Sequence, residues 1–219
     1  MFRFFLSLSV EIENPEAPQC ILLFLSFISV LRVDRVFLLL LQNAGFYTQY
    51  GKKAADVVLE ILRVLPVDFV SSPDIGFLRS IARKPKATKV IFQLLNAMDV
   101  EPQTKQPYGI IVKDLVAIKS FASGIMVPKE FILPVKPDKY LGLPTTLVAD
   151  AHKLGLEVYA SGFANDLFSS YSYNYDPTAE YLQFIDSRDS VDGVITDFPT
   201  TASNAIGEIT NLKSPTFSS

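Results

Sequence analysis

The chain has one histidine, His152, and one cysteine, Cys20, in 219 residues. A single cysteine excludes an intrachain disulfide, leaves the redox compartment open, and excludes a cysteine-rich zinc site. A single histidine excludes any mechanism in which two imidazoles of this chain share the acid and base roles. Basic charge is in short supply as well. Lys and Arg total 20 against 23 Asp and Glu, for a net charge of −3 and a pI near 5.2. Non-specific nucleic-acid binding needs a basic face and a polybasic membrane anchor needs clustered cations, so the composition argues against both. The sequence also has no Asn-X-Ser/Thr acceptor, no internal repeat, no low-complexity linker and no Gly-rich phosphate loop at a strand end.

What is present is apolar. Hydrophobic residues make up 49% of the chain and charged residues 20%, a balance that buries a core and is far from disorder. The length suits one domain or a large part of one.

Residues 1–35 differ from the rest. Phe2–Val10 is apolar with Arg3 near its start, like a stunted signal peptide, but Glu11 and Glu13 follow at once. A second run, Ile21–Leu31, is broken by Arg32, Asp34 and Arg35 before Val36–Leu41 resumes. A membrane span needs about 20 apolar residues with few charges. The first piece is too short, and joining the later two would bury three charges. The segment is expected to form a buried helix or strand pair, with membrane contact left open. Cys20, at its edge, reads as a packed thiol.

Beyond residue 35, strand and helix patterns alternate. Continuous apolar or β-branched runs predict strands at Val36–Gln42, Val67–Ser71, Lys89–Leu94, Ala122–Val127, Glu157–Ser161 and Gly193–Thr196. Apolar residues at helical spacing predict helices at Ala54–Leu65, from Ile75 through Ile81, Lys113–Phe121, Thr145–Leu154, from Pro177 through Ile185, and Thr200–Ile206. Punctuation agrees: Ser72-Pro73-Asp74 and Asp176-Pro177 read as helix starts, Pro66 and Gly155 as helix ends. Six strands alternating with helices predict a parallel sheet with right-handed crossovers. The last strand runs through Val191-Asp192-Gly193-Val194-Ile195-Thr196-Asp197-Phe198-Pro199. In a (β/α) barrel the C-terminal strand tips face the active site, so this ending carries Thr196 and Asp197 toward a ligand. Asp197 is expected to bond nearby backbone N–H groups and Pro199 to open the next helix.

Several pieces, in order, resemble the plant branch of the glycerophosphodiester phosphodiesterase family. They are residues 68–73 (Asp-Phe-Val-Ser-Ser-Pro), 118–125 (Ile-Lys-Ser-Phe-Ala-Ser-Gly-Ile), 149–161 (Ala149 through Ser161), 175–182 (Tyr-Asp-Pro-Thr-Ala-Glu-Tyr-Leu) and the ending at 192–199. The resemblance covers roughly 36–206, leaving 207–219 as a tail. It implies an α/β fold of the TIM type, a (β/α)₈ barrel of which about six of the eight parallel strands are present. It implies hydrolysis of a small-molecule glycerophosphodiester to glycerol 3-phosphate and an alcohol. It also implies a Ca²⁺ or Mg²⁺ ion held by carboxylates and two histidines as general acid and base. Secretion or attachment to the cell surface follows from the family alone.

The departures from that pattern are large. The family's His-Arg-Gly and Glu-Asn segments on its first strand and its Glu-x-Asp pair on the second have no counterpart here. Its third strand carries a metal-binding Glu followed, after one residue, by Lys, and Leu40 and Gln42 stand in the candidate positions. Glu11 and Glu13, followed by Pro15 and Pro18 without a histidine, do not replace them. No catalytic residue and no metal ligand is therefore carried over, and no bound metal is expected in this chain. The family's first two strands are expected to be missing, with the apolar N-terminal segment covering an exposed edge at Val36–Gln42.

The candidate substrate-binding residues are Ser71, Tyr159, Ser161, Asn165 and Asp197, with Tyr159 and Phe198 as walls. Each also reads as a cap, turn or packing residue. Where the family ends its seventh strand in Trp-Thr, this chain has Tyr159-Ala160-Ser161. His152 lies inside a helix, away from strand ends, and Asp150 beside it reads as solvated. The Tyr171–Tyr175 loop reads as an ordered loop or the rim of a pocket. Three functions remain open: a phosphodiesterase completed by a longer isoform, a non-catalytic barrel module for ligand binding or domain packing like the degenerate one of two tandem barrels in plant members, and a different phosphate-binding barrel.

Overall fold

The computed structural model describes residues 3–6, 28–33, 36–41, 54–81, 87–166 and 169–213. Cys20, Glu11, Glu13 and Gln42 lie outside them.

Six strands, β3 (Val36–Leu41), β4 (Phe69–Ser72), β5 (Lys89–Gln93), β6 (Gly124–Pro128), β7 (Glu157–Phe163) and β8 (Gly193–Thr196), stand side by side in chain order, each parallel to the next. This is the expected curled α/β sheet of an incomplete TIM-type barrel. Helices α1 (Ala54–Val64), α2 (Ile75–Ile81), α3 (Tyr108–Ile111), α4 (Leu115–Lys119), α5 (Leu147–Lys153), α6 (Pro177–Ile185) and α7 (Pro199–Lys213) fill the connections. Two further strands come from the N-terminal segment. β1 (Arg3–Leu6) lies parallel to β8, with Arg3 opposite Gly193. β2 (Ile28–Val33) runs antiparallel to β3, with Ile28 opposite Leu41 and Val33 opposite Val36. The outer edge of β3 is thus covered by backbone pairing, which relieves its unpaired N–H and C=O groups. The row runs β1-β8-β7-β6-β5-β4-β3-β2. Its two ends approach each other without a ladder between them among the described residues.

Strand alternation sorts the side chains into two cores. Leu39, Val70, Val90, Phe92, Ile125, Val127, Val158, Ala160 and Val194 point outward and pack under the helices, against residues such as Val58, Leu78, Ile118, Val148 and Tyr181. Leu38, Leu40, Phe69, Ile91, Met126 and Tyr159 point inward and form a second cluster, with Ile195 packed on it. The near-continuous apolar runs of these strands follow from having both faces covered.

The inward positions at the N-terminal ends of the strands form a floor. Lys89 Nζ meets Glu157 Oε1 at 2.5 Å, Tyr159 donates its hydroxyl to Glu157 Oε2 at 3.0 Å, and Lys89 stands 5.8 Å from the Phe69 ring centre. Gly124 is the small residue this floor requires. A Cβ there would stand 2.7 Å from the Glu157 carbonyl oxygen.

Local signals held in most places. Asp176 accepts from Thr178 N–H at 2.8 Å with Pro177 opening α6, and Gly155, at φ +69°, stops α5. Pro199 opens α7 as expected, but that helix runs on to Lys213. The Ser72-Pro73-Asp74 helix start resolves in favour of Asp74, whose Oδ1 accepts Phe77 N–H at 2.9 Å. The helix expected over Lys113–Phe121 shrinks to Leu115–Lys119, because Asp114 caps it by accepting from Ala117 N–H at 3.0 Å. Among the described residues no helix is long and apolar enough to cross a membrane.

Candidate binding site at the barrel mouth

The C-terminal ends of β4 and β5 carry two buried polar atoms with no hydrogen-bond partner, Ser71 Oγ and Gln93 Oε1. Ser71 is wholly buried and stands opposite Ile91 in the ladder, so Gln93 is the next inward position toward the mouth on the adjoining strand. Both project from the inner face into the apolar cluster, with Leu40 and Ile91 opposite Ser71 and Met126 opposite Gln93 in the ladder. A buried hydroxyl or amide left unpaired costs about 1–3 kcal/mol, and native proteins keep few such groups. Two on neighbouring strands make a polar spot in an apolar shaft, suited to a hydroxyl-bearing guest. Ser71 was legible from its place at a strand end. Gln93 was missed; the available signal was its two-residue spacing from Ile91, which puts an amide on the inner face.

The loop that follows β4 is fastened to the next loop over. Tyr108 donates its hydroxyl to the Pro73 carbonyl at 2.8 Å. Burial, reinforced by the Glu101 carboxylate, pushes the Tyr108 hydroxyl well above the ordinary tyrosine range, so it stays a neutral donor. Glu101 is itself fully buried, and accepts from the N–H groups of Ile75 at 3.1 Å, Gln103 at 3.0 Å and Thr104. Its oxygens are occupied in holding the loop.

The other candidates are held by separate partners. Tyr159 is buried on the inner face, stands opposite Met126 in the ladder and donates its hydroxyl to Glu157 Oε2 at 3.0 Å. Ser161 donates to the Val127 carbonyl at 3.1 Å. Asn165 is exposed and donates to Thr201 Oγ1 at 2.7 Å, tying the end of β7 to α7. Asp197 is exposed, and the turn it was expected to close is made by Thr196: Thr196 Oγ1 accepts Phe198 N–H at 2.9 Å and lies 2.6 Å from Tyr181 Oη. A buried threonine already aimed at its own turn outcompetes a solvated carboxylate for that N–H. Phe198 is half-buried beside it.

His152 is at the other end of the barrel. Its Nε2 lies 2.9 Å from Asp192 Oδ2, and the same oxygen accepts Val158 N–H at 2.8 Å. Asp192 precedes β8, so this contact braces the N-terminal face, where barrel residues serve stability. Asp150, on the same helix, is a surface residue paired with Lys153 at 2.8 Å, and that ammonium holds its carboxyl below the usual range.

A divalent cation does not fit what is described. No group of three or more His, Cys, Asp or Glu converges as a ligand set among the described residues. Leu40 is buried in the apolar shaft, and Glu101 is saturated by backbone donors.

No family model matches the sequence. Curated relatives do. The chain is 53% identical over 174 residues to glycerophosphodiester phosphodiesterase GDPDL6 of Arabidopsis thaliana, covering 78% of this chain and 23% of the relative. GDPDL7 of the same plant matches at 53% with the same coverage. GDPDL5 matches at 48% over 169 residues, covering 76% of this chain and 23% of the relative. The chain thus spans under a quarter of the length of these relatives. Identity of this level across most of the chain, together with the parallel barrel strands in the expected order, places this chain in the plant branch of the glycerophosphodiester phosphodiesterase family.

Proposed function

We propose that this chain, by itself, is a non-hydrolysing barrel module that binds a small hydroxyl-bearing molecule of the glycerophosphodiester class at the mouth formed by β4 and β5. The observation that carries this reading is the position of the only histidine. General acid–base hydrolysis needs a proton-transfer group within reach of the reacting oxygen, and His152 is engaged with Asp192 at the opposite end of the barrel. The same reading is supported by the described residues, which offer no converging carboxylate set for the second element that the resemblance implies, a cation at the phosphate. What remains at the mouth is suited to holding: Ser71 and Gln93 offer a hydroxyl and an amide oxygen in an apolar shaft.

The test is direct. The purified chain is incubated with glycerophosphocholine and Ca²⁺ or Mg²⁺, and glycerol 3-phosphate is measured. The expected result is release equal to a no-protein control; release above it overturns the reading. Binding is read separately. Glycerophosphoglycerol raises the melting midpoint of the wild-type chain and not of Ser71→Ala, since a guest of the native state alone stabilises it.

A further inference from the structure

A hollow of about 220 Å³ lies between the end of β7 and the start of α6. Its wall includes Asp166, Tyr173, Tyr175, Asp176 and Glu180, with no Lys, Arg or His among the described lining residues. Two exposed carboxylates, Asp166 and Asp176, set the sign of the guest. Glu180 is matched from behind by Lys129 at 2.8 Å, and one oxygen of Asp176 accepts Thr178 N–H. Asp166 and Asp176 are both exposed to the hollow's solvent side. Burial first, then the charges of Glu180 and Glu130, raise the Tyr173 hydroxyl above the ordinary tyrosine range, so it stays neutral. An anion is excluded by this wall.

The size of the guest follows from the spacing. The carboxylates border the same hollow without converging into a group of three that could ligate a metal ion. They surround a space larger than a bare ion needs, yet below the roughly 300 Å³ at which drug-sized pockets begin. Aromatic surface supplies the rest. Tyr173 is buried in the wall, while Tyr175 is 74% exposed at the rim and continues a row of rings, with Tyr171 at 6.2 Å and Tyr140 a further 5.6 Å from Tyr171. Tyr175 takes φ +60° directly after Asn174 at φ +51°. A bulky residue rarely adopts that backbone, so the chain bends unusually to set this ring at the rim. Carboxylates held apart around tyrosine rings are the chemistry that retains a bulky, weakly hydrated cation by charge and cation–π attraction.

We propose that this hollow binds the alkylammonium group of a small molecule, of the size of choline. Tyr173 and Tyr175 supply the aromatic surface, and Asp166 and Asp176 the charge. The site shares no residue with the one proposed between Ser71 and Gln93, so each stands or falls alone.

Saturation-transfer NMR on the full chain tests it, with choline, tetramethylammonium and glycerol as probes. The expected result is saturable transfer to the N-methyl protons of both cations, undisturbed by excess glycerol. Asp166→Asn and Tyr175→Gly are each expected to weaken it about 5-fold, the effect of one modest interaction, while Ser71→Ala leaves it unchanged. Tyr175→Gly is chosen because glycine adopts positive φ freely, so it keeps or raises the melting midpoint while removing the ring. Absence of saturable transfer, or equal transfer in both pocket variants, overturns the proposal. Loss of choline binding in Ser71→Ala would also overturn it, by moving the cation to the barrel shaft.

Discussion

Lys129 Nζ lies 2.8 Å from Glu180 Oε1, and both side chains are more than nine-tenths buried. The pair joins the tip of β6 to the first turns of α6, and Lys129 also stands 5.4 Å from the Phe163 ring centre on β7. Removing one partner strands a charge in a dry site and is expected to cost about 3–5 kcal/mol, whereas replacing both with apolar groups of similar volume costs far less. Urea denaturation of Lys129→Met, Glu180→Leu and the double variant checks this. Single changes that together cost no more than the double change would show that the two do not act as a unit.

Ser71→Ala is expected to stabilise the chain by about 1 kcal/mol, because it deletes a buried hydroxyl that pairs with nothing. Thermal melting without ligand gives the answer. A fall in the midpoint would mean the hydroxyl has a partner in solution.

Gly124→Ala is expected to destabilise by about 1–3 kcal/mol through overpacking. Its new Cβ meets a backbone oxygen, that of Glu157, at 2.7 Å, and Ile91 Cδ1 at 3.0 Å. Ile91 can turn away, but the carbonyl belongs to the neighbouring strand and moves only with the ladder. An unchanged urea midpoint would show that the floor is looser than its geometry.

Tyr108, Tyr173 and Tyr181 all have hydroxyls raised above the ordinary value, with burial the largest cause in each. In the unfolded chain these groups ionise near pH 10. Below that pH both states keep their protons and nothing is lost. Above it the unfolded state sheds protons that the folded state retains, so stability falls as pH rises through about 10 and onward. Urea midpoints measured from pH 8 to 11 are expected to drop, and replacing Tyr173 by Phe to flatten the drop.

The six parallel strands were legible because each is largely a β-branched or apolar run, several of them flanked by Gly, Pro or Asp, and because the helix starts at Asp176-Pro177 and Pro199 are written into the chain locally. β1 and β2 were legible only as apolar pieces. Their direction depends on which edges β3 and β8 leave open, and no local residue encodes that. Of the candidate residues, only the strand-end positions were legible. Ser71 could be placed from its strand end. The direction of the Tyr159 hydroxyl was not legible, because it is drawn two residues back to Glu157, whose other partner, Lys89, is 68 positions from it. Gln93 gave only its two-residue spacing from Ile91, and the Lys129–Glu180 pair gave no signal, since its meaning lies in which partners surround it and not in its own type.

The reversed course of β2 has a consequence for what this scaffold can host. Every strand parallel to its neighbours delivers its outgoing end to the upper rim, where chemistry is installed. β2 delivers its outgoing end, Val33, to the bottom and presents its incoming end, Ile28, at the top. One berth in the crown is therefore turned upside down. Restoring a reactive group there is not a matter of exchanging one side chain for another; it would require the chain to thread that slot from the opposite direction.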